Sequence, residues 1–170
     1  MAGAGPCVFC QIASSSTSTQ LLHSDEKVVA FQDINPSAFK HYLVIPVEHI
    51  STVKDLQRRM ADYQLVSHLL DVGQTLLHRD APDSKQYSSY LIKLINRMSC
   101  LHTCHTSRFG FHQPPFNSVN HLHLHCLALP FIPSSQDREQ MEMYKIHVSR
   151  TLRWIHQGRE VAKEDKSISI

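Results

Sequence analysis

The sequence has 170 residues, of which 42% are hydrophobic and 19% charged, and its formal net charge is +2. This length suits one domain with a sizeable core, and the scattered basic residues disfavour a protein that binds a nucleic-acid backbone. No apolar run reaches the roughly 18 to 20 residues that span a bilayer, and no signal peptide pattern is visible at the start. The sequence therefore predicts an intracellular protein, with the cytoplasm favoured and the nucleus and peroxisome left open.

The first part of the chain carries clear signals for two strands and one helix. Ser and Thr cluster in an early connection, two segments have strand composition, and a long segment repeats apolar residues at helical spacing. In chain order, the predicted loop, strands and helix cover residues 14–20, 27–31, 41–46 and about 55–78.

The second part gives weaker signals until a strongly alternating segment. Its predicted elements are an ambiguous segment, an extended stretch, a turn, a strand and a helical tail, over residues 90–95, 108–112, 113–115, 121–128 and about 136–155. We expect one domain over residues 1–135, followed by a helical tail over residues 136–170.

The 13 histidines are the outlier of the composition, and three of them alternate with leucine in His121-Leu122-His123-Leu124-His125. Residues two apart on a strand share a face, so the pattern predicts a row of imidazoles opposite two core leucines. The outer rings would lie about 13 Å apart along the strand, from four rises of roughly 3.3 Å. All three therefore cannot bind a single ion at the roughly 2 Å of a metal–nitrogen bond.

Three interpretations of this triplet remain open. A neighbouring pair of histidines is a good half-site for zinc, and a histidine-rich strand without function would leave three imidazoles to be satisfied in the sheet. Catalysis is favoured, because a neutral imidazole with a reference pKa of about 6.5 is a nucleophile towards phosphorus near pH 7. The flanking rings could then fix the tautomer of His123 and stabilise developing charge.

The triplet, with its apolar neighbours, resembles the signature of the histidine-triad (HIT) superfamily. Other blocks resemble the same family in the same order: Cys7 to Ile12, Val29 to Ile34, and His41 to Pro46 followed by His49-Ile50. The resemblance covers roughly residues 6–84 and 107–132. The block from Phe109 to Ser118 resembles a plant and animal branch near aprataxin, whose plant members are associated with adenosine 5′-phosphosulfate cleavage.

The resemblance implies an α+β HIT fold, with a mostly antiparallel five-stranded sheet, a long helix packed on it and a homodimer. Residues 85–106 have no counterpart in the family pattern and resemble an insertion. A longer surface connection costs little free energy, so the fold is expected to survive it.

The resemblance also implies catalytic roles. His123 would attack the α-phosphorus and carry the nucleotidyl group, with His121 and His125 supporting it. His41 would orient the triad, although from the sequence alone it is also consistent with an exposed strand-start residue. Ser118 would assist the leaving group, although it is otherwise an ordinary turn residue.

A second set of residues is expected to bind the purine nucleotide. Asp33 matches the residue that accepts hydrogen bonds from the ribose hydroxyls, but an Asx turn explains it equally well. Asn117 and His112 are candidates for phosphate or leaving-group contact. The apolar walls around the base would be formed by Phe9, Ile12, Phe31 and Ile34.

Cys7 and Cys10 form a C-x-x-C pair among five cysteines, an odd number that does not suggest a disulfide framework. Some HIT relatives combine this pair with histidines matching His49 and His121 to bind zinc. Such a zinc would be structural, because protein ligands would fill all four positions. Ordinary reduced thiols are the alternative.

The sequence thus predicts a hydrolase or nucleotidyl transferase that acts on adenosine 5′-phosphoryl compounds, with adenosine 5′-phosphosulfate favoured. It would release AMP or, with phosphate, ADP, and would need no cofactor for catalysis. One alternative is a phosphoramidate or dinucleoside polyphosphate hydrolase, whereas adenylylated DNA ends are disfavoured because no basic patch is present. A nucleotide-binding adaptor with weak catalysis is the alternative from another class.

Overall fold

The computed structural model describes residues 7–82, 107–112, 119–131, 146–147 and 150–156. Several predictions fall outside these residues. They are the insertion at 85–106, the ambiguous segment at 90–95, the turn at 113–115, and the site candidates Asn117 and Ser118.

Three helices and six strands form the described part of the chain. The helices are α1 (Val8–Ala13), α2 (Met60–Asp80) and α3 (residues 150–156). The strands are β1 (Leu21–Ser24), β2 (Val28–Gln32), β3 (Ala38–Pro46), β4 (Ser107–Phe111), β5 (Leu124–Phe131) and β6 (Ile146–His147).

The strands form one antiparallel sheet with the order β1-β2-β3-β5-β4-β6. The predicted α+β fold with a mostly antiparallel sheet and a packed long helix is confirmed. The two-residue strand β6 adds a sixth member at the β4 edge. Among the described helices, none has the length and hydropathy needed to span a membrane.

Helix α2 packs on one face of the sheet because its apolar residues recur every three or four positions. Its buried residues include Val66, Leu69, Leu76 and Leu77. Gly73 allows close approach to the sheet, since a Cβ at this position would overlap the Sγ atom of Cys126.

The prediction that this helix starts near residue 55 is wrong, because it begins at Met60. A separate 3-10 turn at Val53–Asp55 precedes it. Thr52 caps that turn reciprocally: its side chain accepts from Lys54 N–H, while its own backbone N–H donates to Asp55.

The opposite face of the sheet carries α1 and the histidines. Phe9 and Ile12 of α1 pack against alternate residues of β2 and β3 in a second apolar cluster, which contains Val29, Phe31, Leu43 and Ile45. Strand β3 pairs with β5 so that Leu43 lies opposite His125. This register brings β3 and the triplet together on the α1 side.

Two boundaries in the second part of the chain differ from prediction. Strand β5 begins at Leu124, so His121 and His123 precede it. The backbone before Leu124 does not pair with the neighbouring strands, since the Leu122 N–H donates to the Ile50 carbonyl instead. The predicted tail helix is wrong at residues 146–147, which pair with the open edge of β4, although residues 150–156 are helical.

Candidate active site

The three histidines of the triplet are all buried at the entrance to β5, with exposures of 1%, 5% and 3% for His121, His123 and His125. Despite this burial, His123 borders a small cleft that is open to solvent. The cleft is lined by Ser51, Thr52, Val53, Phe111, His112, His121, Leu122 and His123. The central ring of the triplet therefore lies beside a surface depression rather than deep in the core.

Hydrogen bonding defines which nitrogen of His123 carries the proton. Its Nδ1 atom contacts the backbone carbonyl of His121, which can only accept, so Nδ1 carries the proton. The Nε2 atom therefore keeps its lone pair. Burial lowers the pKa of His123, although the hydrogen bond to His121 and the charge of Asp33 oppose this effect. The ring is thus neutral near pH 7, as a nucleophile requires.

A chain of hydrogen bonds runs from β3 to the triplet. The Ser37 N–H donates to His41 Nδ1 over 3.1 Å, so His41 carries its proton on Nε2. That Nε2 atom lies 2.8 Å from His125 Nδ1 and 3.3 Å from a carboxylate oxygen of Asp33. His125 therefore accepts at Nδ1 and carries its own proton on Nε2.

His41 is only 1% exposed, which rules out the exposed strand-start residue that the sequence left open. Burial lowers its pKa, while the Asp33 carboxylate opposes that shift and His123 adds to it. Burial, together with the neighbouring imidazoles, also holds the pKa of His125 well below its ordinary value. Both rings are therefore neutral hydrogen-bonding groups near pH 7.

His112, which the sequence indicated only as a candidate for phosphate or leaving-group contact, lies directly beside His123. Its Nδ1 atom is 3.1 Å from His123 Nε2, and its ring centroid is 4.4 Å from that of His125. Because His123 Nε2 holds a lone pair, His112 donates this hydrogen bond. Burial, with the nearby charges of His123 and His41, lowers the pKa of His112 to about 4.

The nucleotide-binding candidates are only partly brought together. Phe9 packs edge to face against Phe31, with ring centroids 5.5 Å apart, and also against His123 at 5.3 Å. Ile12 belongs to the same apolar cluster. Ile34 stands apart from these residues with 91% exposure. Three of the four residues expected to form the apolar wall, Phe9, Ile12 and Phe31, therefore pack together, whereas Ile34 is exposed to solvent.

Asp33 forms the Asx turn that the sequence left open, and its second carboxylate oxygen lies beside His41, while its contact with ribose stays a prediction. Its Oδ1 atom accepts from the Asn35 N–H over 2.9 Å, which forms the Asx turn, while Oδ2 faces His41. The turn thus fixes the carboxylate beside the histidines rather than competing with a site role.

Sequence reasoning missed several groups that line or orient this site. Ser51 and Thr52 border the cleft, and their position just after His49-Ile50 was the available signal. The backbone N–H of Ser37 and the carbonyl of Pro46 orient His41 and His121. Backbone groups carry no signal of this kind in the sequence.

The residues proposed for zinc lie together at the amino end of α1. Cys10 Sγ is 3.1 Å from His49 Nδ1, and both Cys7 Sγ and Cys10 Sγ are 3.5 Å from His121 Nδ1. All four potential ligand atoms lie within 4.8 Å of one another. The His121 Nε2–H donates to the Pro46 carbonyl over 3.0 Å, so the Nδ1 lone pair is directed at the two thiols.

The electrostatic interaction between the two thiols favours a bound cation. Burial raises the pKa of Cys10, and its hydrogen bond and charge interaction with Cys7 add to this shift. Two thiolates this close repel each other, and a divalent cation would remove that repulsion. The donor set of two sulfurs and two imidazole nitrogens suits tetrahedral zinc.

The chain is similar to a known protein family and to curated proteins of that family. Residues 6–141 match the family model described as scavenger mRNA decapping enzyme C-term binding. The chain is 58% identical over 127 residues to bifunctional adenosine 5′-phosphosulfate phosphorylase/adenylylsulfatase HINT4 of Arabidopsis thaliana, which covers 75% of this chain and 73% of the relative.

Two further matches agree with this result. Adenosine 5′-monophosphoramidase HINT3 of Xenopus tropicalis is 38% identical over 131 residues, covering 76% of this chain and 69% of the relative. A HIT family hydrolase from Legionella pneumophila has a similar structure, with a TM-score of 0.56 and 25% identity. The match covers 76% of this chain and 98% of that one.

Proposed function

Since this chain belongs to the histidine-triad (HIT) superfamily, we propose that it is an enzyme that cleaves adenosine 5′-phosphoryl compounds through a covalent nucleotidyl-histidine. The observation that carries the proposal is the tautomer of His123. Its Nδ1–H is bound to a backbone carbonyl, its Nε2 lone pair accepts from His112, and the ring lines the cleft.

The reaction has two steps. In the first, His123 Nε2 forms a bond to the α-phosphorus while the bond from phosphorus to the leaving group breaks. The positive charge that develops on the ring is stabilised by the Nδ1–H bond to the His121 carbonyl. In the second step, an oxygen of water or phosphate bonds to the phosphorus while the bond from phosphorus to Nε2 breaks, which releases AMP or ADP and returns the electron pair to Nε2. The proton that the attacking water loses passes to bulk solvent.

The remaining imidazoles stabilise charge on the phosphoryl group. His125 carries its proton on Nε2, because its Nδ1 accepts from His41, and so it offers an N–H donor beside the nucleophile. His112 offers the N–H that binds His123 before substrate arrives. Preorganised donors of this kind stabilise the negative oxygens of a transition state without rearrangement.

Adenosine 5′-phosphosulfate is the favoured substrate for two reasons. The Arabidopsis relative named for its cleavage is 58% identical to this chain. In addition, sulfate leaves as a stable anion without taking up a proton, whereas an amine leaving group must be protonated. With pKa values held low, His112 and His125 are poor proton donors near pH 7, which suits a sulfate leaving group.

Two experiments test this function. Rapid quenching with substrate radiolabelled at the α-phosphorus should trap an AMP adduct on the wild-type chain and none on His123→Ala. A nucleotide-binding adaptor would bind AMP but form no adduct, and that result would contradict the proposal. Turnover of adenosine 5′-phosphosulfate, an adenosine phosphoramidate and a diadenosine polyphosphate should then be compared, with the first expected to react fastest.

Structural zinc at Cys7, Cys10, His49 and His121 is the second part of the proposal. The four ligand atoms and the hydrogen bond from His121 to Pro46 support it. When bound, the metal would join α1 to the residues that lead into β5. Homodimerisation is proposed from the family resemblance, and light scattering that gave the mass of a single chain would contradict the dimer. The intracellular location, with the cytoplasm favoured, stays a prediction from the sequence.

A further inference from the structure

A second cluster of potential metal ligands lies away from the active site, where the turn between β1 and β2 meets α2. It consists of His23 in β1, Asp25 in the turn and His68 in α2. The Nε2 atoms of His23 and His68 lie 2.7 Å and 2.8 Å from the same oxygen, Asp25 Oδ2. Two imidazoles and one carboxylate thus converge on one point from three separate segments.

The turn holds the Asp25 carboxylate in a fixed orientation. Its Oδ1 atom accepts from the backbone N–H groups of Lys27 and Val28 over 2.8 Å and 2.9 Å, which leaves Oδ2 for the histidines. Burial alone would raise the pKa of Asp25, but the hydrogen bonds from His23, the turn and His68 lower it well below its ordinary value. The carboxylate is therefore ionised at every physiological pH.

The cluster is open to solvent, so an ion can reach it. The side chains of His23, Asp25 and His68 are 35%, 31% and 36% exposed. Imidazole nitrogen and carboxylate oxygen are ligands that suit Zn²⁺, Cu²⁺ and Ni²⁺, and sites with three protein ligands keep a position for water.

We propose that His23, Asp25 and His68 form a surface binding site for a divalent transition-metal ion, with Zn²⁺ as the physiological occupant. The ligands are Nε2 of each imidazole and Oδ2 of the carboxylate, and water completes the coordination. The two Nε2 protons now directed at Asp25 move to Nδ1 of their own rings, so that each Nε2 offers a lone pair.

The two contacts to Asp25 need only a small adjustment, and all three ligand atoms already lie within 4.8 Å of one another. Tetrahedral zinc with bonds of roughly 2.0 to 2.1 Å separates its nitrogen and oxygen ligands by about 3.3 Å, some 0.5 Å more than the present contacts. Half-exposed side chains on a sheet edge and a helix surface can move by this amount without disturbing the core. The ion would then link β1 to α2 directly and stabilise the folded chain.

Zinc stoichiometry measured by native mass spectrometry tests the proposal. Wild type and His78→Gln should each bind one more zinc per chain than His23→Gln and His68→Gln. His78 is a matched control because it is an exposed histidine on the same helix. The test compares the number of zinc ions per chain between proteins that all keep Cys7 and Cys10. It therefore holds whether or not the Cys7 and Cys10 site is filled, and it does not depend on the proposed hydrolase activity.

Equal zinc content in all four proteins would overturn the proposal. The affinity of His23→Gln and His68→Gln for zinc should also be at least about tenfold weaker than that of the wild-type chain. Even the loss of a residue that only contacts a metal ligand weakens metal binding roughly 10- to 100-fold. A second measurement needs no variant: Co²⁺ titrated into the metal-free wild-type chain should broaden the amide NMR signals of Lys27 and Val28. Broadening elsewhere with these two signals unchanged would also overturn it.

Discussion

His112 and His123 meet edge to face, with His112 Nδ1 3.1 Å from His123 Nε2 and an angle of 89° between the ring planes. The hydrogen bond occupies the lone pair with which His123 must attack. When phosphorus takes that lone pair, the N–H of His112 is released beside the oxygens of the same phosphoryl group. One contact therefore orients the nucleophile before substrate binds and supplies a donor afterwards.

Replacing His112 should slow adduct formation while leaving the nucleophile in place. His112→Leu removes the donor, and we expect a loss of about 10²- to 10³-fold in the single-turnover rate, as for other transition-state donors. His112→Gln keeps an N–H and should lose less. Single-turnover quenching with adenosine 5′-phosphosulfate measures both, and a wild-type rate in His112→Leu would refute the role.

His41 should act through His125 rather than on the substrate. His41→Ala removes the donor to the buried His125 Nδ1, and an unsatisfied buried group costs about 1 to 3 kcal/mol. His41→Gln can offer an N–H to the same atom and should recover part of both stability and rate. Urea unfolding and adduct kinetics provide the measurements, and equal defects in the two variants would contradict a positioning role.

Stability should fall as the solution is acidified from pH 7 to pH 5. Burial lowers the folded-state pKa of His41, His112 and His125 below the unfolded value of about 6.5. The unfolded chain therefore binds more protons throughout this window, and each such proton costs about 1.4 kcal/mol of stability per pH unit.

Urea unfolding at several pH values measures this slope. His112→Gln should reduce this slope by up to about 1.4 kcal/mol per pH unit, which corresponds to one proton. His78→Gln, at an exposed position, is the control and should leave the slope unchanged. The same slope in His112→Gln and wild type would mean that His112 is not neutralised by folding.

The contact between Gly73 and Cys126 predicts a packing defect. A methyl group at position 73 overlaps Cys126 Sγ, and overpacking costs about 1 to 3 kcal/mol, against roughly 1 kcal/mol that alanine gains over glycine in a helix. Gly73→Ala should thus lower the free energy of unfolding, and Cys126→Ala in the same chain should restore part of it. Gln74→Ala, exposed on the same helix, is the control.

Removal of zinc should destabilise α1 and its contacts. Cys10→Ser should bind one zinc fewer than wild type, and chelation of the wild-type chain should lower its melting temperature towards that of the variant. Calorimetry with and without a chelator, together with metal analysis, provides the test. A wild-type chain with no zinc after purification in zinc-containing buffer would contradict this part of the proposed function.

The sequence predicted best what depends on local pattern. Alternating residues placed the leucines of the triplet in the core and the histidines on the opposite face, and helical spacing identified α2. The strand boundary at Leu124 could not be predicted, because it depends on a backbone hydrogen bond from Leu122 to Ile50, far away in the chain. The start of α2 was missed for a different reason: Thr52 caps a short turn of its own.

The candidate site also combines residues that a local pattern identifies with contacts that depend on distant parts of the chain. The alternating pattern singled out His123 and His125, and the family resemblance supplied their roles and the zinc candidates. The direction of each imidazole, however, depends on partners that no motif contains, such as the Ser37 N–H and the Pro46 carbonyl. The close approach of His112 likewise depends on the pairing of β4 with β5. The domain limits and the catalytic and binding roles of the site residues stay predictions, and Asn117 and Ser118 lie outside the described residues.

A single residue, His121, belongs to both halves of the site. Its imidazole faces the thiols of Cys7 and Cys10, while its peptide carbonyl accepts the Nδ1–H of His123. Oxidants that attack the sulfurs would therefore disturb the residue that sets the tautomer of the nucleophile. Oxidation of these two thiols is therefore expected to slow turnover without any chemical change to the His123 ring.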